Sequence, residues 1–505
     1  MTDVIAGAVE VFSLQTLLWV ALGEILGIIL GSLPGLTATM GIALMLPISF
    51  HLPQVTGMGL LLGVYCGAVS GASIPAILLG IPGNPNAIAT VYDGQAMTNR
   101  GMAGQALGGA VIASFLGGIG SLIILVLFSP LIARFTLMFG PAEKATLALV
   151  GLTIIASVSS KQLAKGVLMG AIGVALALLG PDPFSNRLRI PFRGIFAQTP
   201  LAGGVNLIPA LIGLFGISQA LVDTERIRQG LIAPKQFKME KFFPLLTRIA
   251  KMWRLIIESL GIGTLIGAIP GTGASIAVYL SYERAKKVTK KDPKLNDIGT
   301  GRLEGVVAPE VANNAVTGGA LIPALSLGIP GDSSTAVLLS ALLIQGVVPG
   351  YRLFSDNLSL VYAIFLSLLL ANIFMLLFQY FGVRLFPKVL SVPIAILVPA
   401  ILVLSLIGSY AIQGQAILSA TFDMGVALVL GIVGYFLKKA DYPIAPIVLG
   451  LILGGLFEEN FRRAVKLANG DYFVFFTKPI SVAFILLAVV SVLSPVIARL
   501  RENRR

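Results

Sequence analysis

What most constrains this chain is a set of apolar runs as long as a bilayer is thick, several of them broken by Pro and Gly. Residues 14–33, 117–133 and 361–377 are among these runs and carry almost no charge. A spanning helix needs about 20 such residues, and in lipid the backbone must satisfy its own hydrogen bonds. The expected fold is therefore an all-α polytopic membrane protein. Composition agrees, since 56% of the residues are hydrophobic and only 12% charged, against about 25% charged in a soluble domain.

Two of the apolar runs are interrupted in nearly the same words. "GASIPAILLGIPGNPNAIAT" spans residues 71–90 and "GALIPALSLGIPGDSSTAVL" spans 319–338, with ten of the first thirteen positions identical. "GSLPGLTA" at 31–38 is likewise echoed by "GAIPGTGA" at 267–274, and a fainter echo joins Pro141 to Pro393. Repeats in a preserved order indicate a duplication. The expected division is a first membrane repeat over 1–221, a basic connector over 222–254, a second repeat over 255–479 and a final helix with a basic tail over 480–505.

Charge gives these halves an orientation. The connector holds Arg226, Arg228, Lys235, Lys238, Lys241, Arg248, Lys251 and Arg254, and the chain ends "ARLRENRR". Both read as cytoplasmic by the positive-inside rule. The uncharged "SFHLPQVT" follows the first Pro-Gly break, while its counterpart "ERAKKVTKKDPKLNDIGTGR" is strongly basic. Matched points on opposite sides imply two inverted repeats. The N-terminus is then outside, the C-terminus cytoplasmic and the span count about ten to twelve, with discontinuous helices or re-entrant hairpins included.

Several function classes fall away. The net charge of +13 comes from 36 Lys and Arg against 23 Asp and Glu. It lies between apolar runs, without the aromatic and basic interleaving of a nucleic-acid surface. Cys66 is the only cysteine and His51 the only histidine, so an intrachain disulfide and a cysteine- or histidine-built metal site are not expected. Walker A, H-E-x-x-H and G-x-S-x-G sequences do not occur, so an ATP-driven pump or a familiar hydrolase lacks support.

The breaks carry the chemistry. Four occur, at Leu33-Pro34-Gly35, Ile81-Pro82-Gly83, Ile269-Pro270-Gly271 and Ile329-Pro330-Gly331. Each frees backbone groups where water is scarce, at a cost of several kcal/mol per unsatisfied group. A half-helix N-terminus offers N–H groups and a positive dipole end to an anion. Small polar residues follow each break: Thr37 and Thr39; Asn84, Asn86 and Thr90; Thr272 and Ser275; Ser333, Ser334 and Thr335. Gly83 and Gly331 would let an anion approach the backbone. The expected ligand is an anionic solute, a carboxylate, beside a coupling cation bound by carbonyls or side chains. A single Pro-Gly kink is ordinary packing, but four, paired across a repeat, favour a site.

Intramembrane ionisable residues are the other candidates. Glu310, with Asn313 and Asn314 one turn on, reads either as a cation or proton site or as a helix-end hydrogen bond to a loop. Asp332 reads as a helix cap or a cation ligand, the cap being favoured. Glu24 and Glu258 read as packing or interfacial groups. Asp93, in "YDGQAM", is expected in a turn. Gly104 to Gly109 and Gly117-Gly118 suit close helix packing.

The chain resembles the TctA family, the large membrane subunit of tripartite tricarboxylate transporters. The resemblance rests on "GSLPGLTATMGIALMLPISF", "GIPGNPNAIATVYDGQAM", "GTLIGAIPGTGASIAVYLSY" and "EGVVAPEVANNAVTGGALIPALSLGIPGDSSTAVLL". It implies a secondary-active permease for carboxylates in the bacterial inner membrane, with no cofactor beyond a coupling Na⁺ or H⁺. It also implies two partners, a small TctB-like membrane subunit and a periplasmic TctC-like solute-binding protein. Asn84, Asp332 and "DGQAM" depart from the family's common pattern and leave the particular carboxylate open. The alternative is a passive channel or a non-transporting scaffold subunit. Paired half-helices favour the transporter, since a channel filter is normally assembled from several subunits around one axis.

Overall fold

The computed structural model describes residues 2–33, 35–158, 163–182, 184–185, 188–189, 200–226, 240–270, 272–289, 298–382, 394–411 and 417–502. Pro34, Gly271, Pro393, the connector's Arg228, Lys235 and Lys238, and the loop residue Lys290 lie outside them. Apart from one antiparallel bridge between Pro181 and Leu188, every regular element described is helical. In chain order the helices begin α1 (Thr2–Val11), α2 (Leu14–Ser32), α3 (Ala38–Ser49), α4 (Gln54–Gly71), α5 (Ser73–Leu79), α6 (Ile88–Asn99) and α7 (Ala103–Phe135). Then come α8 (Pro141–Val158), α9 (Leu163–Ala177), α10 (Leu207–Leu211), α11 (Ser218–Arg226), α12 (Phe242–Ala250), α13 (Trp253–Ala268), α14 (Gly273–Thr289) and α15 (Glu304–Leu327). The last are α16 (Ser333–Ile344), α17 (Tyr351–Asp356), α18 (Leu358–Gly382), α19 (Ile394–Ala411), α20 (Ile417–Lys439), α21 (Ala445–Leu467), α22 (Val474–Thr477) and α23 (Pro479–Glu502).

Among the described residues six helical segments are long and apolar enough to cross a membrane, and five shorter apolar helices accompany them. The protein is an all-α, multi-pass membrane protein. Two of the shorter helices, α3 and α16, have 12 residues each. At 1.5 Å per residue each is about 18 Å long, little more than half of the roughly 30 Å hydrocarbon layer. They are half-helices, each following a break.

The residues form two compact units. The first takes Met1–Leu131, Asp223–Ile269 and Gly273–Ala400; the second takes Ile132–Val222, Pro270–Thr272 and Ile401–Arg505. Each draws on both halves of the sequence.

In the first unit α4 and α15 are buried along nearly their whole length. α2 packs on α4, and α13 packs on α15, backbone to backbone. A β-carbon added at Gly27 would meet the Val64 carbonyl oxygen at 2.5 Å, and one at Gly67 would meet that of Glu24 at 2.5 Å. Gly263 stands in the same relation to the Ala312 carbonyl, and Gly319 to that of Thr264. Small residues at four-residue spacing are what allow membrane helices to approach this closely. Gly117 packs on the Val311 backbone in the same way, as its sequence context predicts.

In the second unit α21 packs on α8 and α9, and α23 on α8. Phe457, Phe461 and Phe475 stack within it. Asp423 is buried in α20, where its two oxygens accept from the Asn206 amide at 2.9 and 3.0 Å. Near the Pro181–Leu188 bridge, Arg462 donates to Asp182 and holds that carboxyl well below the usual carboxylate range. Arg189 pairs with Glu458 at 2.7 Å.

Candidate functional site

The second and fourth breaks are the same structure written twice. α5 ends at Gly80 with φ 70°, and α15 ends at Gly328 with φ 72°, a left-handed cap that costs little only for glycine. Past the cap, the Ile81 N–H donates to the Pro75 carbonyl at 3.4 Å and the Ile329 N–H to that of Pro323 at 3.3 Å. The chain then extends through Asn84 (φ −144°, ψ 172°) and Asp332 (φ −144°, ψ 179°), both at N-cap positions. A β-carbon at Gly83 would strike the Gly31 carbonyl oxygen, and one at Gly331 would strike that of Gly267. The third break begins like the first, with Ile269 (φ −85°, ψ 115°) matching Leu33 (φ −89°, ψ 118°). The repeated words thus encode a repeated turn.

The polar residues after the breaks meet crosswise between the sequence halves. Thr39, at the start of α3, bonds the hydroxyls of Ser333 at 3.1 Å and Ser334 at 2.9 Å, at the start of α16. Ser275, at the start of α14, donates to Asn86 Oδ1 at 3.0 Å, in the turn that opens α6. First break thus meets fourth, and third meets second. Among the described residues the hydrogen bonds gather the expected site residues into these two clusters rather than one ring. Thr37 caps α3 by accepting from the Met40 N–H at 3.3 Å. Thr272 is half-buried just before α14, and Asn84, Ser334 and Thr335 are buried.

Asn84 and Asp332 occupy equivalent places with different charge. Asn84 Oδ1 accepts from the Asn86 N–H at 2.9 Å. Asp332 forms a capping box: its Oδ1 accepts from the Thr335 N–H at 2.7 Å, and Thr335 Oγ1 accepts from the Asp332 N–H at 3.0 Å. The favoured cap is therefore what is seen, and it leaves Oδ2 to accept from the Tyr65 hydroxyl at 3.2 Å. A carboxylate beside one half-helix dipole suits a cation; a neutral amide beside the other leaves that dipole for an anion.

Glu310 is not at a helix end. It lies well inside α15, fully buried, with Oε1 accepting from Thr90 at 2.5 Å and Oε2 from Ser114 at 3.2 Å. Asn313 donates to the Val69 carbonyl at 3.1 Å, and its Oδ1 has no partner among the described residues. Asn314 donates to the Glu310 carbonyl at 3.3 Å. One further expectation is corrected. Asp93 is no turn residue; it sits buried in α6, where tertiary hydrogen bonds outweigh the Asp-Gly turn preference. Of the two readings of Glu24, packing is the one seen, since it is fully buried in α2. Tyr65 and Ser114 were missed, having no local signal beyond polarity in an apolar run. Among the described residues no cluster of three or more His, Cys, Asp or Glu occurs that could hold a metal ion.

Paired half-helices with polar N-termini, inside a multi-pass helical unit, have the architecture of a membrane transporter. Residues 17–449 match the tripartite tricarboxylate transporter TctA family, and the chain belongs to that family. It is 31% identical over 498 residues to an Agrobacterium vitis protein described as an "uncharacterized 52.8 kDa protein in TAR-I ttuC' 3'region", covering 97% of this chain and 94% of the relative. A second A. vitis protein, "uncharacterized protein in TAR-II ttuC' 3'region", is 34% identical over 242 residues, 48% of this chain and 97% of its own length. No solved structure matches the chain.

Proposed function

We propose that the chain is the permease subunit of a tripartite, binding-protein-dependent transporter that takes up a carboxylate by coupling to a cation. The observation that carries this reading is the crosswise meeting of half-helix starts, with an amide cap at Asn84 and a carboxylate cap at Asp332 in matched turns. The solute's carboxylates sit against Asn84, Asn86 and Ser275, with backbone N–H groups after Gly83 aimed at them. Thr37, Gly331, Ser333, Ser334 and Thr335 complete the lining. The cation, Na⁺ or H⁺, binds toward Asp332, with Glu310, Asn313 and Asn314 as the other candidate groups. Coupling is needed because each negative charge moved inward costs about 2.3 kcal/mol per 100 mV of inside-negative potential. A small membrane subunit and a periplasmic solute-binding protein of the TctB and TctC kind complete the system, in the bacterial inner membrane.

The test is uptake of radiolabelled citrate and a panel of dicarboxylates into proteoliposomes holding the three components. An imposed cation gradient should drive accumulation above equilibrium. Asn84→Ala should raise the half-saturating solute concentration about tenfold to a hundredfold, the equivalent of losing about 1.5–3 kcal/mol from a hydrogen bond to a charged group. Asp332→Asn should instead weaken the cation dependence. Flux that only runs downhill and ignores every gradient would make the chain a channel and overturn the proposal.

A further inference from the structure

Glu24 is the one carboxyl in the first unit's apolar interior that is both fully buried and without a hydrogen bond to either oxygen among the described residues. It lies against α4: a β-carbon added at Gly67 would come within 2.9 Å of Glu24 Oε1. The helices packed on α2 are α4, α18, α3, α5 and α1, and none of them carries Lys, Arg or His. Their titratable groups are Tyr65 and Cys66 on α4, Tyr362 and Tyr380 on α18, and the exposed Asp3 and Glu10 on α1. No cationic side chain therefore faces Glu24 from any of these elements. Glu310, by contrast, has a hydroxyl on each oxygen.

A buried carboxylate without a countercharge must take one up. Around Glu24 the contact between α2 and α4 is made by Gly23, Gly63 and Gly67 against main chain whose carbonyls already serve helix bonds, so the oxygen ligands that a metal ion needs are scarce there. A proton needs none of them. We infer that Glu24 is a proton-binding site of the transport cycle, separate from the cation bound toward Asp332. α4 links the two. Gly67 faces Glu24, and Tyr65, two residues earlier, donates to Asp332 at the start of α16. Charging Glu24 loosens the α2–α4 contact, and any slide of α4 moves Tyr65 against the cap. A second coupled cation also answers a multivalent solute's charge, which a single cation leaves uncompensated. The inference rests on the transport reading above.

Two measurements test it. Infrared spectra of the purified full chain should show a carboxylic-acid C=O band that is lost as pH rises, and Glu24→Gln should lack it. In the three-component proteoliposomes with citrate, each coupled proton multiplies accumulation about tenfold per unit of inward pH gradient. Glu24→Gln should lose one such factor of about ten and move one fewer charge per solute. If that variant does not reach the membrane, Glu24→Asp should keep the coupling with a displaced pH dependence. An unchanged pH dependence in either variant, or a wild-type chain whose Glu24 band never titrates, overturns the inference. Wild-type proteoliposomes that accumulate nothing under any gradient count against the transport reading instead, and the infrared titration still decides whether Glu24 exchanges a proton.

Discussion

Asp93 fastens three parts of the first unit. Its carboxylate accepts from the Tyr282 hydroxyl at 2.9 Å, and from the N–H groups of Gly299 at 3.0 Å, Gly301 at 2.8 Å and Arg302 at 2.7 Å. α6 is thereby tied to α14 and to the turn that leads into α15. Asp93→Ala strands those donors, and loss of a buried, charged hub of this kind costs about 3–5 kcal/mol. Asp93→Asn keeps one accepting oxygen. In detergent, the thermal unfolding midpoint should fall below wild type for Asp93→Asn and further for Asp93→Ala; equal midpoints for wild type and Asp93→Ala would refute the fastening role. Local sequence rules read "DG" as a turn because they weigh only neighbours, whereas the partners of Asp93 lie some two hundred positions away. The choice between packing and interface for Glu24 stayed open for a related reason. A lone carboxyl in an apolar run looks the same at the interface and at full depth, and only the packing of α4 tells the two apart.

Among the elements, the broken helices were the most legible part of the sequence. Pro and Gly mark where α2, α5, α13 and α15 stop, and Thr37, Asn84 and Asp332 announce the caps that follow. The crosswise contacts were not legible, since Thr39 and Ser334 are joined only by the fold. The turns themselves leave no room for a side chain. Gly83→Ala would drive its β-carbon into the Gly31 carbonyl oxygen and to 2.9 Å from Ala72 Cα. Both obstacles are main chain and cannot yield as a flexible side chain does. Overpacking of this kind costs about 1–3 kcal/mol, and Gly331→Ala, against Gly267 and Ala320, should behave alike. Gly261 is the control, a helical glycine on α13 with nothing within 4 Å of an added β-carbon. There alanine should be neutral or stabilise by up to about 1 kcal/mol. Unfolding midpoints of the three variants decide the matter, and equal shifts would show that the turns tolerate a side chain after all.

At the scale of the whole molecule the all-α class and the membrane environment follow from apolar length alone, while the inverted arrangement of the two repeats stands as a proposal. It is supported by the unequal charge of matched loops, one uncharged and one basic, and by the crosswise pairing of the breaks. Single cysteines at His51 and Lys290, in a Cys66→Ala background, should react with an impermeant thiol reagent from opposite faces of the membrane. Reaction from one face would leave a duplication without inversion. The crosswise pairing has one more consequence, and it is genetic. Thr39 leans on Ser334 and Ser275 on Asn86, so each half of the chain owns only one side of these contacts. A gene cut at the connector would yield two fragments inert alone and competent only together, and a lesion in one half would find its suppressors in the other.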